Sequence, residues 1–357
     1  MIGIDVGATE VTHSDGSRSP HGVPGTPLDL IGRVARDVPD IRVEEHGCML
    51  RPADELYAAV VEAAIRGRRR DPARIAVAVP AWWTPRTLDR ARAALDAQGI
   101  EALLVNAAEA AVMEHRATEH RTPPTIAVVS LRAEYSSVAI VRGGTDQLAA
   151  LATPVFVHEE GGHRLDAEVL RHLVRGLTDL GDIVDPADPL TVAAARGQLD
   201  RCRELREALS VSAVESVQPE LPGADHRLRL VRSELEELAT PWADAVTRMV
   251  SAALAHYGHP VDALLLVGGM ASMPMVSQRL SAELALEVIV AQDPQLAVAR
   301  GARRVLAEEM SRRAVATSPR RARWRSRTRT RASGKRRRGV EAGNGASLPV
   351  PVLPPGS

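Results

Sequence analysis

The sequence predicts an α/β protein of two lobes that face one cleft. Leu264-Leu265-Leu266-Val267 is an unbroken apolar run that stops at Gly268-Gly269, and a periodic segment (Val276, Leu280, Leu284) opens at Pro274. Such a run reads as a strand buried on both faces. Paired glycines at its C-terminal end let backbone come close to a ligand. At the opposite end of the chain, Ile2-Gly3-Ile4-Asp5-Val6 is a second short strand, carrying an acid and ending in Gly7-Ala8-Thr9. Two strand-then-glycine units so far apart suggest two lobes around one cleft.

Composition bounds the possibilities. The 357 residues allow two or three domains and an ample core. Phe156 is the single phenylalanine, so the core must be aliphatic. Cys48 and Cys202 are far apart and form no Cys-x-x-Cys, which argues against a metal and for a reducing compartment. No apolar run reaches the roughly 18 residues of a membrane span. Met1 leads straight into the first strand without room for a signal peptide, so no transmembrane segment and a cytoplasmic location are expected. The formal net charge is zero, but as an average. From Ser311 onward, 12 Arg and Lys335 stand against Glu341, and the remainder is correspondingly acidic. Lys335 is the one lysine in the protein.

In chain order, Glu10–His13 and the turn Ser14-Asp15-Gly16-Ser17 make a hairpin after the first strand. Residues 18–45 are weakly patterned and suggest a small irregular subdomain. Pro52 opens a helix with Leu56, Ala59, Val60 and Ala63 on one face. The arginine run 68–70 behind it reads as a solvated helix end rather than an anion site. Ile75–Val79 is a buried strand. Trp82-Trp83 pack at its exit, and Thr84-Pro85 cap the next helix (Leu88, Ala91, Leu95), which Gly99 closes. A strand at 103–106 and a helix over 107–115 follow, then two strands, Ile126–Leu131 and Ser137–Val141, with Gly143-Gly144 as a hairpin turn. Gly161-Gly162 opens a helix (Leu165, Val169, Leu173), a place where backbone N–H groups attract phosphate. After a charged helix over 190–209 come two strand candidates, 212–218 and 226–230, and a helix over 233–239. Ser233 to Glu236 reads as a capping box, and Pro241 as the start of a separate long helix. A strand at 288–291 and a helix over 296–308 complete the folded part.

Several of these segments carry a family likeness. Gly3 to Thr9, Val79-Pro80-Ala81-Trp82-Trp83, Gly161-Gly162-His163-Arg164-Leu165-Asp166, the helix ending Arg206 to Ser210, Gly268-Gly269 and Asp293 to Ala302 resemble motifs of DnaK-type heat-shock chaperones and keep their order. The chain thus resembles their nucleotide-binding domain over about residues 1–308. The resemblance implies a two-lobed actin-like ATPase (ribonuclease H-like) fold: lobe I over 1–155 with a small subdomain at about 16–73, and lobe II over 156–308 with one at about 186–239. No chaperone-type substrate-binding domain is expected. Residues 309–357 are expected to form a disordered Arg-rich, then Pro/Gly-rich, tail.

The implied ligands are ATP or ADP with Mg²⁺. The resemblance assigns Asp5 to the Mg²⁺ water shell and Gly7, Ala8, Thr9, Gly161, Gly162, Arg206, Ser210, Gly268 and Gly269 to nucleotide binding, with no direct metal ligand. The second phosphate loop departs from the family's Asp-x-Gly-Gly-Gly-Thr: here it reads Ser130-Leu131-Arg132-Ala133-Glu134-Tyr135. Arg, Ala and Glu crowd a backbone that should cradle phosphate. Ala107 replaces the family's Glu, and no lysine in residues 1–334 can face the phosphates. The expectation is therefore a chaperone-related protein that binds ATP or ADP with weak or absent hydrolysis. The VPAWW segment with its degenerate loop also resembles type VII secretion-associated proteins of actinobacteria. Two alternatives stand beside it: a nucleotide-free scaffold for a protein partner, and a sugar kinase of the same superfamily. Arg312 to Arg338 is expected to bind polyanions.

Overall fold

The computed structural model describes residues 1–8, 10–21, 23, 29–36, 41–44, 48–66, 74–119, 121–143, 148–150, 156–158, 161–185 and 187–317. Thr9, the arginine run 68–70, Gly144 and the chain beyond Thr317 lie outside the described residues. Contacts divide the chain into a unit over Met1–Glu308 and a second over Glu309–Ser357.

The first unit holds two sheets with the same plan. In the first, β1 (Ile2–Val6), β2 (Glu10–His13) and β3 (Arg18–Pro20) form an antiparallel meander. After α1 (Leu30–Arg36), the hairpin of β4 (Ile41–Glu44) and β5 (Cys48–Arg51), and α2 (Ala53–Ile65), the chain returns as β6 (Ile75–Val79), parallel to β1. Helix α3 (Pro85–Ala97) then leads to β7 (Ala102–Asn106), parallel to β6. The order is β3-β2-β1-β6-β7. Thr84 caps α3, its hydroxyl accepting the Thr87 N–H at 3.2 Å. Asn106 caps α4 (Ala107–Thr118), its amide oxygen accepting the Ala108 N–H at 2.9 Å.

The second sheet repeats the plan. β8 (Thr125–Leu131), β9 (Ser136–Gly143) and β10 (Leu148–Ala150) make the meander, and β11 (Phe156–His158) also pairs with β9. After α5 (Gly162–Asp179), α6 (Pro189–Leu209), the hairpin of β12 (Val214–Val217) and β13 (Leu228–Val231), and α7 (Arg232–Tyr257), β14 (Ala263–Val267) enters parallel to β8. Helix α8 (Pro274–Leu284), β15 (Glu287–Val290) and α9 (Ala297–Thr317) finish the described chain, with β15 parallel to β14. The order is β10-β9-β8-β14-β15.

Each sheet has its own core. Ile4, Val6, Leu56, Tyr57, Val60 and Val77 anchor the first, and Val129, Val169, Leu173, Val246, Leu264 and Leu266 the second. Both cores are mainly aliphatic, as composition suggests, but each also takes in aromatics: Tyr57, Trp83 and Tyr135 in the first, Trp242 and Tyr257 in the second. The lobe boundary differs from the expected one. β8, β9 and β10 lie within residues expected in lobe I, yet β8 pairs with β14, so the second sheet begins at Thr125. Helices α4 and α9 cross so closely that a Cβ on Gly301 would overlap the Ala110 carbonyl.

Three local expectations also change. Pro241 lies inside α7 rather than starting a new helix. A proline costs a helix one N–H bond without being forced to end it where packing holds both sides, and Ala239, Trp242 and Ala243 are all buried there. Ser233 does not cap. Glu234 instead accepts the Val231 N–H at 2.9 Å. Residues 309–317, expected in the tail, are helical, with Glu309 paired to Arg313 at 2.8 Å within that stretch. Among the described residues no helix is long and apolar enough to cross a membrane.

Candidate functional site

The equivalent turns of the two meanders meet across a cleft. β1 brings Asp5 and the turn after it Gly7 and Ala8; the β8–β9 turn brings Arg132, Ala133, Glu134 and Tyr135; the end of β14 brings Gly268 and Gly269; and α6 brings Arg206. All of these line a cavity of about 100 Å³. Gly268 has φ +94°, and a Cβ there would overlap the Leu131 carbonyl, so glycine is required by close approach of β14 to β8.

The expected site residues therefore divide. Asp5, Gly7, Ala8, Arg206, Gly268 and Gly269 come together. Gly161 and Gly162 do not line the cleft. The N–H groups at the start of α5, expected to attract phosphate, are already used: Gly162 donates to the Arg132 carbonyl at 3.0 Å and His163 to the Ala133 carbonyl at 2.9 Å. A Cβ on Gly161 would overlap that same Arg132 carbonyl. The glycine pair lets α5 seat the β8–β9 turn. Ser210 also turns away, its hydroxyl donating to the Arg206 carbonyl one helical turn back at 3.1 Å. Arg206 is held by Asp166, Nε to Oδ1 at 2.7 Å, with both side chains almost wholly buried.

The chemistry of the cleft is dominated by residues in the altered loop. Arg132 donates from Nη2 to Asp5 Oδ2 at 2.6 Å and from Nε to Ser130 Oγ at 3.3 Å. Its guanidinium lies over the Tyr135 ring, 5.9 Å from the centroid, within cation–π range. Burial raises the Asp5 carboxyl above its ordinary value, and Arg132 pulls it back. Burial also opposes the charge on Arg132, but Asp5 outweighs it and the guanidinium's pKa is raised. Glu134 Oε1 accepts the Gly32 N–H at 2.6 Å. Burial pushes its carboxyl up to about 7. Sequence reasoning weighed Glu134 as an intruder in a phosphate loop and Arg132 as an intruder or a substitute cation, and gave Tyr135 no role. No local pattern marks Tyr135: its ring meets Trp82 edge to face at 5.2 Å, a contact between distant segments.

With this geometry in view, the comparisons decide the family. The model described as Hsp70 protein matches residues 60–310. The chain belongs to the Hsp70 family. The domain is 24% identical over 238 residues to a heat shock protein homolog of Lachancea kluyveri, covering 64% of this chain and 34% of that protein. The corresponding heat shock protein homolog of Candida glabrata is 24% identical over 241 residues, with the same coverage. The chain thus spans about a third of the length of the curated relatives it matches. The Hsp70 assignment sets the sugar-kinase alternative aside.

Hsp70-family domains bind ATP or ADP with Mg²⁺, and the residues of this Hsp70 domain can be tested against that group. They do not fit its phosphate end. Asp5, the carboxylate available to a Mg²⁺ water shell, already carries a guanidinium. Glu134 adds a carboxyl to the wall where phosphate charge would lie. The cavity of about 100 Å³ is also well below the roughly 300–1,000 Å³ of ordinary small-molecule sites.

Proposed function

We propose that this Hsp70-family domain has lost ATP hydrolysis and acts as a chaperone-related binding module for a protein partner. The observation that carries this reading is the Arg132–Asp5 contact, in which the protein's own cation sits on the carboxylate that would serve Mg²⁺. Three further features support it. Ser130 is not a carboxylate, Ala107 cannot position or polarise an attacking water, and the first 334 residues hold no lysine to neutralise phosphate. A single general acid–base group is worth about 10²–10⁴ in rate. Losses within one constellation overlap rather than multiply, and one such factor already removes a slow activity from easy detection. The likeness to type VII secretion-associated proteins supports a partner connected with secretion.

The test is Mg²⁺-dependent phosphate release from ATP by the purified full chain. No turnover above the blank is expected, and Asp5→Ala should change nothing. Steady turnover that Asp5→Ala abolishes would overturn the reading. The glycine end of the cleft favours a second, narrower role, weak binding of adenosine or ADP at Gly268 and Gly269. Raised thermal stability with adenosine or ADP, lost in Gly269→Val, would establish it.

A further inference from the structure

The β8–β9 turn belongs to the second sheet, yet three of its four side chains are bound to the first lobe. Arg132 reaches Asp5 on β1 at 2.6 Å. Glu134 accepts the N–H of Gly32 in α1 at 2.6 Å. Tyr135 is 5% exposed and packs in the core of the first sheet, edge to face on Trp82. The turn is equally fixed on its own side. Arg132 N–H donates to the Tyr135 carbonyl at 2.9 Å, and α5 donates to the Arg132 and Ala133 carbonyls from behind. One short turn is thus clamped to lobe II by backbone and to lobe I by a charge pair, a hydrogen bond and an aromatic contact.

We propose that this turn is a latch that holds the two lobes together across the cleft with no ligand present. In proteins that close around a ligand, the ligand supplies the differential contacts that favour the closed form. Here the contacts are covalently part of the chain, so closure is set by the sequence. Arg132 supplies the positive charge, Asp5 receives it, and Tyr135 excludes water behind them. The latch deepens the reading of a cleft closed by its own side chains, but its contacts belong to the ligand-free chain and are tested apart from ATP turnover. A buried pair of this kind has value only while both partners remain, since removing one leaves a desolvated charge.

Gly32 provides the direct readout. It lies in the first turn of α1, where backbone N–H groups have no partner inside the helix, so its protection from exchange depends on Glu134. Hydrogen exchange is measured on the nucleotide-free full chain, for wild type, Arg132→Met and the charge-balanced Asp5→Asn/Arg132→Met. The wild type should protect Gly32 and the segment 5–8. Arg132→Met should accelerate both on the order of a hundredfold, the loss expected of a broken buried pair, while β14 and α7 stay protected. The double variant carries no orphan charge and should stay folded; with the cross-cleft pair gone it should still accelerate exchange at Gly32 and 5–8, by less than the single variant. A wild type with unprotected Gly32, or a double variant with wild-type exchange at Gly32 and 5–8, overturns the latch. ATP turnover by a latched wild type would sink the proposed function and leave the latch standing.

Discussion

Glu134 makes the stability of the lobe contact depend on pH. Burial pushes its carboxyl from the ordinary 4.5 up to about 7, against the N–H groups of Gly32 and Ile31 and the charge of Arg132, and with Asp29 adding to the rise. Arg36 stands on the same side of Gly32, and Asp5 and Tyr135 face Arg132 from the other. The folded protein therefore holds a proton that the unfolded chain releases between about 4.5 and 7. Stability rises with pH only where the unfolded state binds more protons; here the folded state does, so the sign is reversed. The contribution is complete below pH 4.5 and is lost as pH rises through about 7. A carboxyl displaced that far carries at most about 3.5 kcal/mol, at about 1.4 kcal/mol per pH unit. The assay is urea unfolding of wild type and Glu134→Gln at intervals from pH 5 to 8. Glutamine keeps the acceptor oxygen and cannot titrate. Other carboxylates affect both proteins alike, so the readout is the difference. Wild type should lose stability relative to Glu134→Gln across this range and level off above pH 8. Parallel profiles would refute a buried, proton-holding Glu134.

Two further predictions concern other parts of the chain. Arg206→Met leaves Asp166 buried without its cation and should cost about 3–5 kcal/mol in denaturant unfolding, most of it recovered in Arg206→Met/Asp166→Leu; a loss under about 1 kcal/mol would show that the pair holds nothing. Binding of duplex DNA, used as a polyanion probe for Arg312 to Arg338, should weaken by about 10³-fold or more between 50 and 200 mM salt and vanish when residues 318–357 are removed; affinity that survives both would rule out the tail as the binding segment.

What the sequence could reveal followed the range of the interaction. The strands ending at Val6 and Val267 were legible because an apolar run that stops at glycine is a local pattern. The Thr84 cap was legible for the same reason, since the donor it satisfies is three residues away. The division between lobes was not, because β8 finds β14 only after α7 has intervened, and pairing between distant strands leaves no mark in either run. Helix α1 and the β4–β5 hairpin were missed because residues 18–45 lack a clean period. At the site, Gly161-Gly162 reads the same whether a phosphate or a carbonyl approaches it. Here the approach is by the carbonyls of Arg132 and Ala133. Ser210 bonds the Arg206 carbonyl here; a serine at the end of a helix can face a ligand or bond its own backbone, and residue type does not choose between them.

The changes in the β8–β9 loop form one interdependent set rather than a scatter of losses. Arg132 brings a cation to Asp5, and Ser130 accepts from the Nε of the same guanidinium. A carboxylate at 130 would compete with Asp5 for that cation and bury a second negative charge beside it, so serine at 130 suits arginine at 132. Tyr135 gives the guanidinium a face to lie on and fills the first core against Trp82. That position cannot return to a small hydroxyl residue without opening a cavity between the lobes, and deleting a buried aromatic side chain commonly costs about 3–5 kcal/mol. Glu134 spends its carboxyl on an orphan N–H of α1. Restoring the family residue at 132, 134 or 135 would therefore break a contact before it regained a ligand. Recovery of a phosphate cradle would require replacing 130, 132, 133, 134 and 135 together and adding a lysine elsewhere. Such coupling is what distinguishes a loop that has taken on a new structural task from one that has merely decayed.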